Sequence, residues 1–216
     1  VAIEDRELPI QLESCVLDAI VSLPPKPRGL TLFAHGSGSS RLSPRNRFVA
    51  RTLNEAGIVT VLFDLLTAEE EGVDMYSAEL RFDIELLADR LSRATDWAAA
   101  HREWQALPRG YFGASTGAAA ALTAAARRKD IRAIVSRGGR PDLAGAALRE
   151  VFAPTLLIAG GNDMPVIDMN QEALGELPDI EKRLDIIPKA THLFSEPGSL
   201  EEVARLAKDW FERHLS

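Results

Sequence analysis

The segment Tyr111-Phe112-Gly113-Ala114-Ser115-Thr116-Gly117, followed by the alanine-rich run 118–126, decides how this chain is read. An apolar pair leads into Gly-x-Ser-x-Gly, and a helix-forming run leaves it. That is a strand, a sharp turn and a helix, with a serine at the apex. Such a turn forces the serine into strained backbone geometry and leaves room only for very small neighbours, hence a glycine on each side. It also lifts the hydroxyl into the open above a helix N-terminus, where developing negative charge is favoured. Alone, the pentapeptide is a small-residue turn of a kind that arises by chance. Its weight comes from what surrounds it.

Outward from that point the chain alternates. Strand-like runs fall at 16–23, 30–34, 59–63, 109–112, 131–135, 155–158 and 183–187. Several are almost unbroken apolar stretches, as strands buried on both faces should be. Helix-like runs fall at 44–56, 78–101, 116–128, 143–151, 166–174 and 200–215. Ser43-Pro44 supplies an N-cap and an N1 proline, and Gly57 supplies a stop. Alternating β and α elements predict a mostly parallel sheet with helices on both faces, and functional groups beyond the carboxyl ends of its strands. The 216 residues, 46% of them hydrophobic, suit one folded domain over 1–216. The formal net charge of −7 argues against nucleic acid or an anionic membrane as partner. No apolar run approaches the ~18 residues of a membrane span. Cys15 is the only cysteine, which fits a reducing cytoplasm; its apolar setting predicts a buried structural thiol.

A serine hydroxyl needs a base within hydrogen-bond reach, and the base needs an orienting acid. Of the four histidines, His101 and His214 lie in helical segments and read as solvated, and His35 as a loop-shaping residue. His192 directly follows the last strand-like run and is the candidate base. Asp163 follows Leu156-Leu157-Ile158-Ala159-Gly160-Gly161-Asn162, a strand ending in glycines, and is the candidate acid. Its competing reading is a helix N-cap or Asx-turn; Asp168 is the competing acid. The order Ser115…Asp163…His192 is that of serine hydrolases built on an α/β sheet. Backbone donors for an oxyanion are expected from Thr116, next after the serine, and from Ser37, with Gly38 as the alternative, in the loop His35-Gly36-Ser37-Gly38-Ser39. No Cys-x-x-Cys, His-x-His, His-Glu-x-x-His or P-loop occurs, so the expectation is chemistry without metal or cofactor. Gly36-x-Gly38 imitates a dinucleotide fingerprint, but Arg41 stands at the third glycine position.

These motifs together, spread over nearly the whole chain, resemble the α/β-hydrolase superfamily, in its dienelactone-hydrolase-like group. The resemblance implies a three-layer α/β-hydrolase fold: a mostly parallel central sheet flanked by helices, with no cap domain, since only the stretch 136–153 separates two strands where relatives insert one. Dienelactone hydrolases use a cysteine nucleophile, and dehalogenases of this fold an aspartate. The serine here implies an esterase or lactonase acting on a small-molecule ester through an acyl-enzyme. Some relatives are fused to phosphoribosyltransferase-like domains, so the alternative is a non-catalytic ligand sensor or partner subunit. For substrate recognition, Arg41, Arg137 and Arg140 follow strands at the expected site face and are candidates for binding an anionic group. The competing expectation pairs them with Glu69, Glu70, Glu71 or Asp74.

Overall fold

Eight strands form one sheet in the order β1-β2-β4-β3-β5-β6-β7-β8, in a computed structural model that describes residues 3–215. The strands are β1 (Glu4–Gln11), β2 (Val16–Leu23), β3 (Gly29–Ala34), β4 (Ile58–Phe63), β5 (Arg109–Ala114), β6 (Ile131–Arg137), β7 (Thr155–Gly160) and β8 (Lys182–Ile187). Only β2 runs against the rest, antiparallel to both β1 and β4. The six helices are α1 (Pro44–Glu55), α2 (Ala68–Ser77), α3 (Ile84–Ala100), α4 (Thr116–Ala126), α5 (Met164–Glu176) and α6 (Ser199–His214). Strands β3, β4 and β7 are buried at every residue, which is why they read as continuous apolar runs. Phe33, Phe112, Val135 and Ile158 pack on one face with residues of α1 and α6. Leu32, Tyr111 and Ile134 pack on the other with residues of α3 and α4. The three-layer arrangement expected from the alternation is therefore present.

The sequence pattern missed two elements. Strand β1 carries Glu4, Asp5, Arg6, Glu7 and Pro9, a charged and proline-bearing composition suited to a sheet edge but silent as a hydrophobic signal. Helix α2 is equally acidic, and is started instead by a capping box: Thr67 Oγ1 accepts from the Glu70 amide (3.2 Å), and Glu70 Oε2 accepts from the Thr67 amide (2.8 Å). The helix expected over 78–101 begins only at Ile84. Ala78 turns left-handed (φ 54°) to end α2, and a 3₁₀ turn at Leu80–Phe82 follows. Buried Asp74 pins that turn by accepting from the Leu80 amide (2.7 Å) and from Arg81 Nε (2.5 Å). The helix expected over 143–151 is 3₁₀ backbone at Pro141–Glu150, broken where Gly145 adopts φ 52°. That short stretch leaves no room for a cap between β6 and β7. Among the described residues no helix is long and apolar enough to cross a membrane.

Cys15 is not buried as expected. It lies half-buried in the turn between β1 and β2, at the wall of a cavity, because that turn precedes the strand. His101 and His214 also differ from the solvated reading. His101 stacks flat on Trp104 (centroids 3.6 Å apart), and His214 packs beside Trp210 (4.8 Å).

Candidate active site

Ser115 sits between the last residue of β5 and the first of α4, at φ 51° and ψ −122°. That conformation costs a non-glycine residue on the order of 1–3 kcal/mol and persists only where the surroundings enforce it. They do so through the backbone. The Ser115 amide donates to the Arg137 carbonyl (3.2 Å), and the Ser115 carbonyl accepts from the amides of Ala118 (3.1 Å) and Arg140 (3.0 Å). The loop after β6 thus clamps the turn from the next strand. Both flanking glycines are required by contact. A Cβ on Gly113 would overlap the Ala118 backbone, and one on Gly117 would overlap the Ala34 carbonyl and lie 2.5 Å from that of His35.

Asp163 occupies the N-cap position of α5, yet its side chain makes no capping hydrogen bond. The carboxylate turns instead to the loop after β8, where His192 Nδ1 donates to Asp163 Oδ2 at 2.7 Å. The N-cap reading is thus true of the backbone and false of the side chain. Asp168 lies exposed on α5 and makes no hydrogen bond to the imidazole among the described residues. With Nδ1 committed, His192 presents Nε2 as an acceptor. Its ring lies beside the elbow: a Cβ built on Gly138, next to the residue whose carbonyl holds Ser115, would stand 3.6 Å from His192 Cε1.

The glycine loop approaches from β3. A Cβ on Gly36 would meet Ser115 Cβ at 3.0 Å and Oγ at 3.7 Å, so glycine is what lets this loop pass over the serine. His35 anchors the loop from below. Its Nε2 accepts from the Leu65 amide (3.0 Å), so Nδ1 carries the proton and donates to the Gly36 carbonyl (2.9 Å). Burial holds its pKa below the ordinary histidine value, in keeping with a neutral, structural imidazole. The Ser37 amide differs from its expected role. It donates to Thr116 Oγ1 at 2.9 Å, because the threonine side chain rises from the first turn of α4 directly beneath it. The amides of Thr116 and Gly38 have no acceptor among the described residues.

The three candidate arginines separate. Arg41 is bound to Asp64 through its guanidinium and through its amide (2.6 Å to Oδ1), with Asp18 at 3.5 Å. Arg140 forms a two-point pair with Asp142 (2.9 and 2.7 Å). Both are paired, though not with the expected acids: Glu70 pairs with Arg90 and Asp74 with Arg81. Arg137 alone of the three has no carboxylate partner among the described residues. Sequence reasoning also passed over a cavity of about 980 Å³ beside the glycine loop, lined by His35, Gly38, Arg41, Asp64 and the first turn of α2. Its acidic wall was visible in Glu69-Glu70-Glu71, but only the fold brings that wall to the site. The cavity does not enclose Ser115. A tight crevice lined by Gly36 and Thr116 shares His35, Gly38, Leu66 and Glu71 with it.

A strained serine between strand and helix, a histidine–aspartate pair from the loops after β7 and β8, and a mostly parallel sheet without a lid define an α/β-hydrolase. The solved structure of a dienelactone hydrolase from Anabaena variabilis is 54% identical, covers 99% of both chains and superposes with a TM-score of 0.97. The chain belongs to the dienelactone hydrolase family. An α/β serine hydrolase without a lid from Xanthomonas campestris shares the fold at 23% identity, with a TM-score of 0.79 over 97% of this chain and 94% of that one. A Mycobacterium tuberculosis protein named "Putative phosphoribosyl transferase" is 54% identical over 214 residues. That match takes in 99% of this chain and 47% of the relative, so the chain spans about half the length of that protein. No family model matches the chain.

Proposed function

We propose that this chain is a serine esterase or lactonase. Ser115 attacks the carbonyl carbon of a small ester, and His192 takes the hydroxyl proton through Nε2 and returns it to the leaving alcohol. Asp163 holds the imidazole by Nδ1 and stabilises the imidazolium. Water activated by His192 then releases the acid from the acyl-enzyme. The observation that carries this reading is the 2.7 Å Asp163–His192 hydrogen bond, made by a carboxylate that forgoes its own helix cap to make it. The Thr116 amide, at the start of an uncharged helix, is one oxyanion donor. The second comes from Gly38 or from a Ser37 amide that shares its proton with Thr116 Oγ1. Neither metal nor cofactor enters this scheme, and the lone Cys15 fits the cytoplasmic setting expected for it.

The test is hydrolysis of short-chain p-nitrophenyl esters beside labelling with a fluorophosphonate. Turnover together with a single label on Ser115 is expected. Neither turnover nor label would transfer the reading to a ligand sensor or partner subunit. A second check isolates the acid. Asp163→Asn offers an amide that can donate to Nδ1 and so favours the wrong tautomer of His192; kcat should fall about 10²–10⁴-fold with the unfolding temperature little changed. A loss of less than ten-fold would remove Asp163 from the mechanism.

A further inference from the structure

Two arginines among the described residues have less than a tenth of their surface exposed, Arg90 (5%) and Arg137 (6%). The fold treats them differently. Arg90 meets Glu70 through two nitrogens at 2.5 Å and the Leu65 carbonyl at 2.7 Å. The Arg137 side chain has one hydrogen bond among the described residues, Nη2 to Asn46 Oδ1 at 3.0 Å, and its Nε is buried without an acceptor. A guanidinium carries five donors and stays charged, so four N–H groups and the charge itself are left without a protein counterpart. Burial pushes its pKa down to about 10, and the charged group that acts on it is another cation, Arg45. Arg45 is half-buried, forms no ion pair among the described residues, and also buries an unpartnered Nε.

Both guanidiniums belong to one place in the fold. Arg45 is in the first turn of α1, and Asn46, which Arg137 touches, is the next residue. That turn holds no acidic residue. Ser43 Oγ caps the Asn46 amide, which leaves the Arg45 amide unpaired at the positive end of a 12-residue helix. In a chain of net charge −7 this is a concentrated positive centre. An uncompensated buried charge is costly, and two like charges together more so. The Arg137 backbone is next to the nucleophile, its carbonyl accepting from the Ser115 amide at 3.2 Å. Arg137 is the register partner of Ala114, one strand spacing (~4.8 Å) from the residue before Ser115.

We propose that Arg137, Arg45 and the free amide of α1 form a subsite for an oxyanion group, carboxylate or phosphate, carried by the ester that Ser115 cleaves. This deepens the esterase reading and rests on it for the word substrate. Arginine's planar fork suits both oxyanions, and the α1 amide adds a donor of the kind that helix N-termini give to anions. Arg41 and Arg140, neutralised by Asp64 and Asp142, take no part.

The experiment compares p-nitrophenyl hemisuccinate with neutral p-nitrophenyl butyrate in the wild type, Arg137→Met and Arg45→Gln. The wild type should favour the hemisuccinate, and the anionic-to-neutral ratio of kcat/KM should fall about 10–100-fold in each variant, the range of a lost charge-assisted contact. Equal losses on both esters would make Arg137 a structural residue and overturn the subsite. Arg45 is half-exposed on a helix, so Arg45→Gln keeps the test readable if Arg137→Met fails to fold. A binding arm separates this proposal from the esterase reading. At constant ionic strength, succinate or inorganic phosphate should raise the unfolding temperature of Ser115→Ala and fail to do so once Arg45→Gln is added. The more effective anion identifies the oxyanion. No stabilisation by either would overturn the subsite even in an active esterase. Stabilisation without turnover of any ester would keep the subsite and remove the esterase.

Discussion

Ser115→Ala is expected to lower kcat on any ester substrate by about 10⁴-fold or more, and His192→Ala by a similar amount, while the double variant loses scarcely more than either alone. The three numbers belong together. A hydroxyl without a base is a weak nucleophile, and a base without a hydroxyl has nothing to activate, so removing one side chain already disables both. Two independent losses would multiply instead, and a double variant some orders of magnitude below the singles would show that His192 acts elsewhere. The fold supplies an independent check. Ser115 is held at φ 51° by bonds through its backbone, which alanine retains, so Ser115→Ala should unfold near the wild-type temperature. Ser115→Gly should be as inactive yet unfold no lower. Relief of ~1–3 kcal/mol of backbone strain offsets the roughly 1 kcal/mol entropic cost of glycine. If Ser115→Gly were clearly less stable than Ser115→Ala, the elbow would not be strained.

What the sequence made legible follows from which forces act locally. The central strands read correctly because β3, β4 and β7 are buried on both faces and can carry only apolar residues. The elbow read correctly because two close backbone approaches demand glycine at 113 and 117, and that demand is visible in a single string. Asp163 and His192 were placed by their positions just after strands, where a parallel sheet collects its functional groups. The misreadings lie where the deciding partner is remote. Strand β1 is held by pairing with β2, which overrides its charged composition. Arg41 pairs with Asp64 and Asp18, which lie just after one strand and on another, both distant in sequence. Arg140 is the exception: its partner Asp142 is only two residues on, within the 3₁₀ stretch that a helical reading of 143–151 did not reach. Ser37 satisfied every local expectation for an oxyanion donor. Its amide is taken by Thr116 Oγ1, 79 residues away, and a side-chain acceptor at that range leaves no mark on the loop itself. Arg45 and Arg137 are the same case in reverse: nothing local shows that an arginine lacks an acid.

Gly117→Ala should produce the largest stability loss of any single methyl addition to the elbow, and its sign discriminates between two forces. Gly117 is the second residue of α4, and helix propensity alone predicts that alanine stabilises by ~1 kcal/mol. The added Cβ would, however, overlap the Ala34 carbonyl oxygen and stand 2.6 Å from the Ala34 carbonyl carbon and 2.5 Å from the His35 oxygen. These are backbone atoms at the end of β3, fully buried, so no side chain can rotate away; the helix start or the strand end has to move. Overpacking of this kind costs about 3 kcal/mol, which after the ~1 kcal/mol propensity gain leaves a net loss of about 2 kcal/mol, for a chain of this size a fall of roughly 4–8 °C in unfolding temperature. Activity should fall as well, because the displaced atoms carry the Thr116 amide and the Gly36–Gly38 loop past Ser115. Gly72 in α2 and Gly175 in α5 provide the control: a Cβ there would meet nothing within 4 Å, so the same substitution should be neutral to stabilising by up to ~1 kcal/mol. Thermal or urea unfolding of the three variants decides the matter. A Gly117→Ala protein as stable as the Gly72 and Gly175 variants would mean that α4 does not press against the end of β3, and the packing that exposes Ser115 would lose its basis.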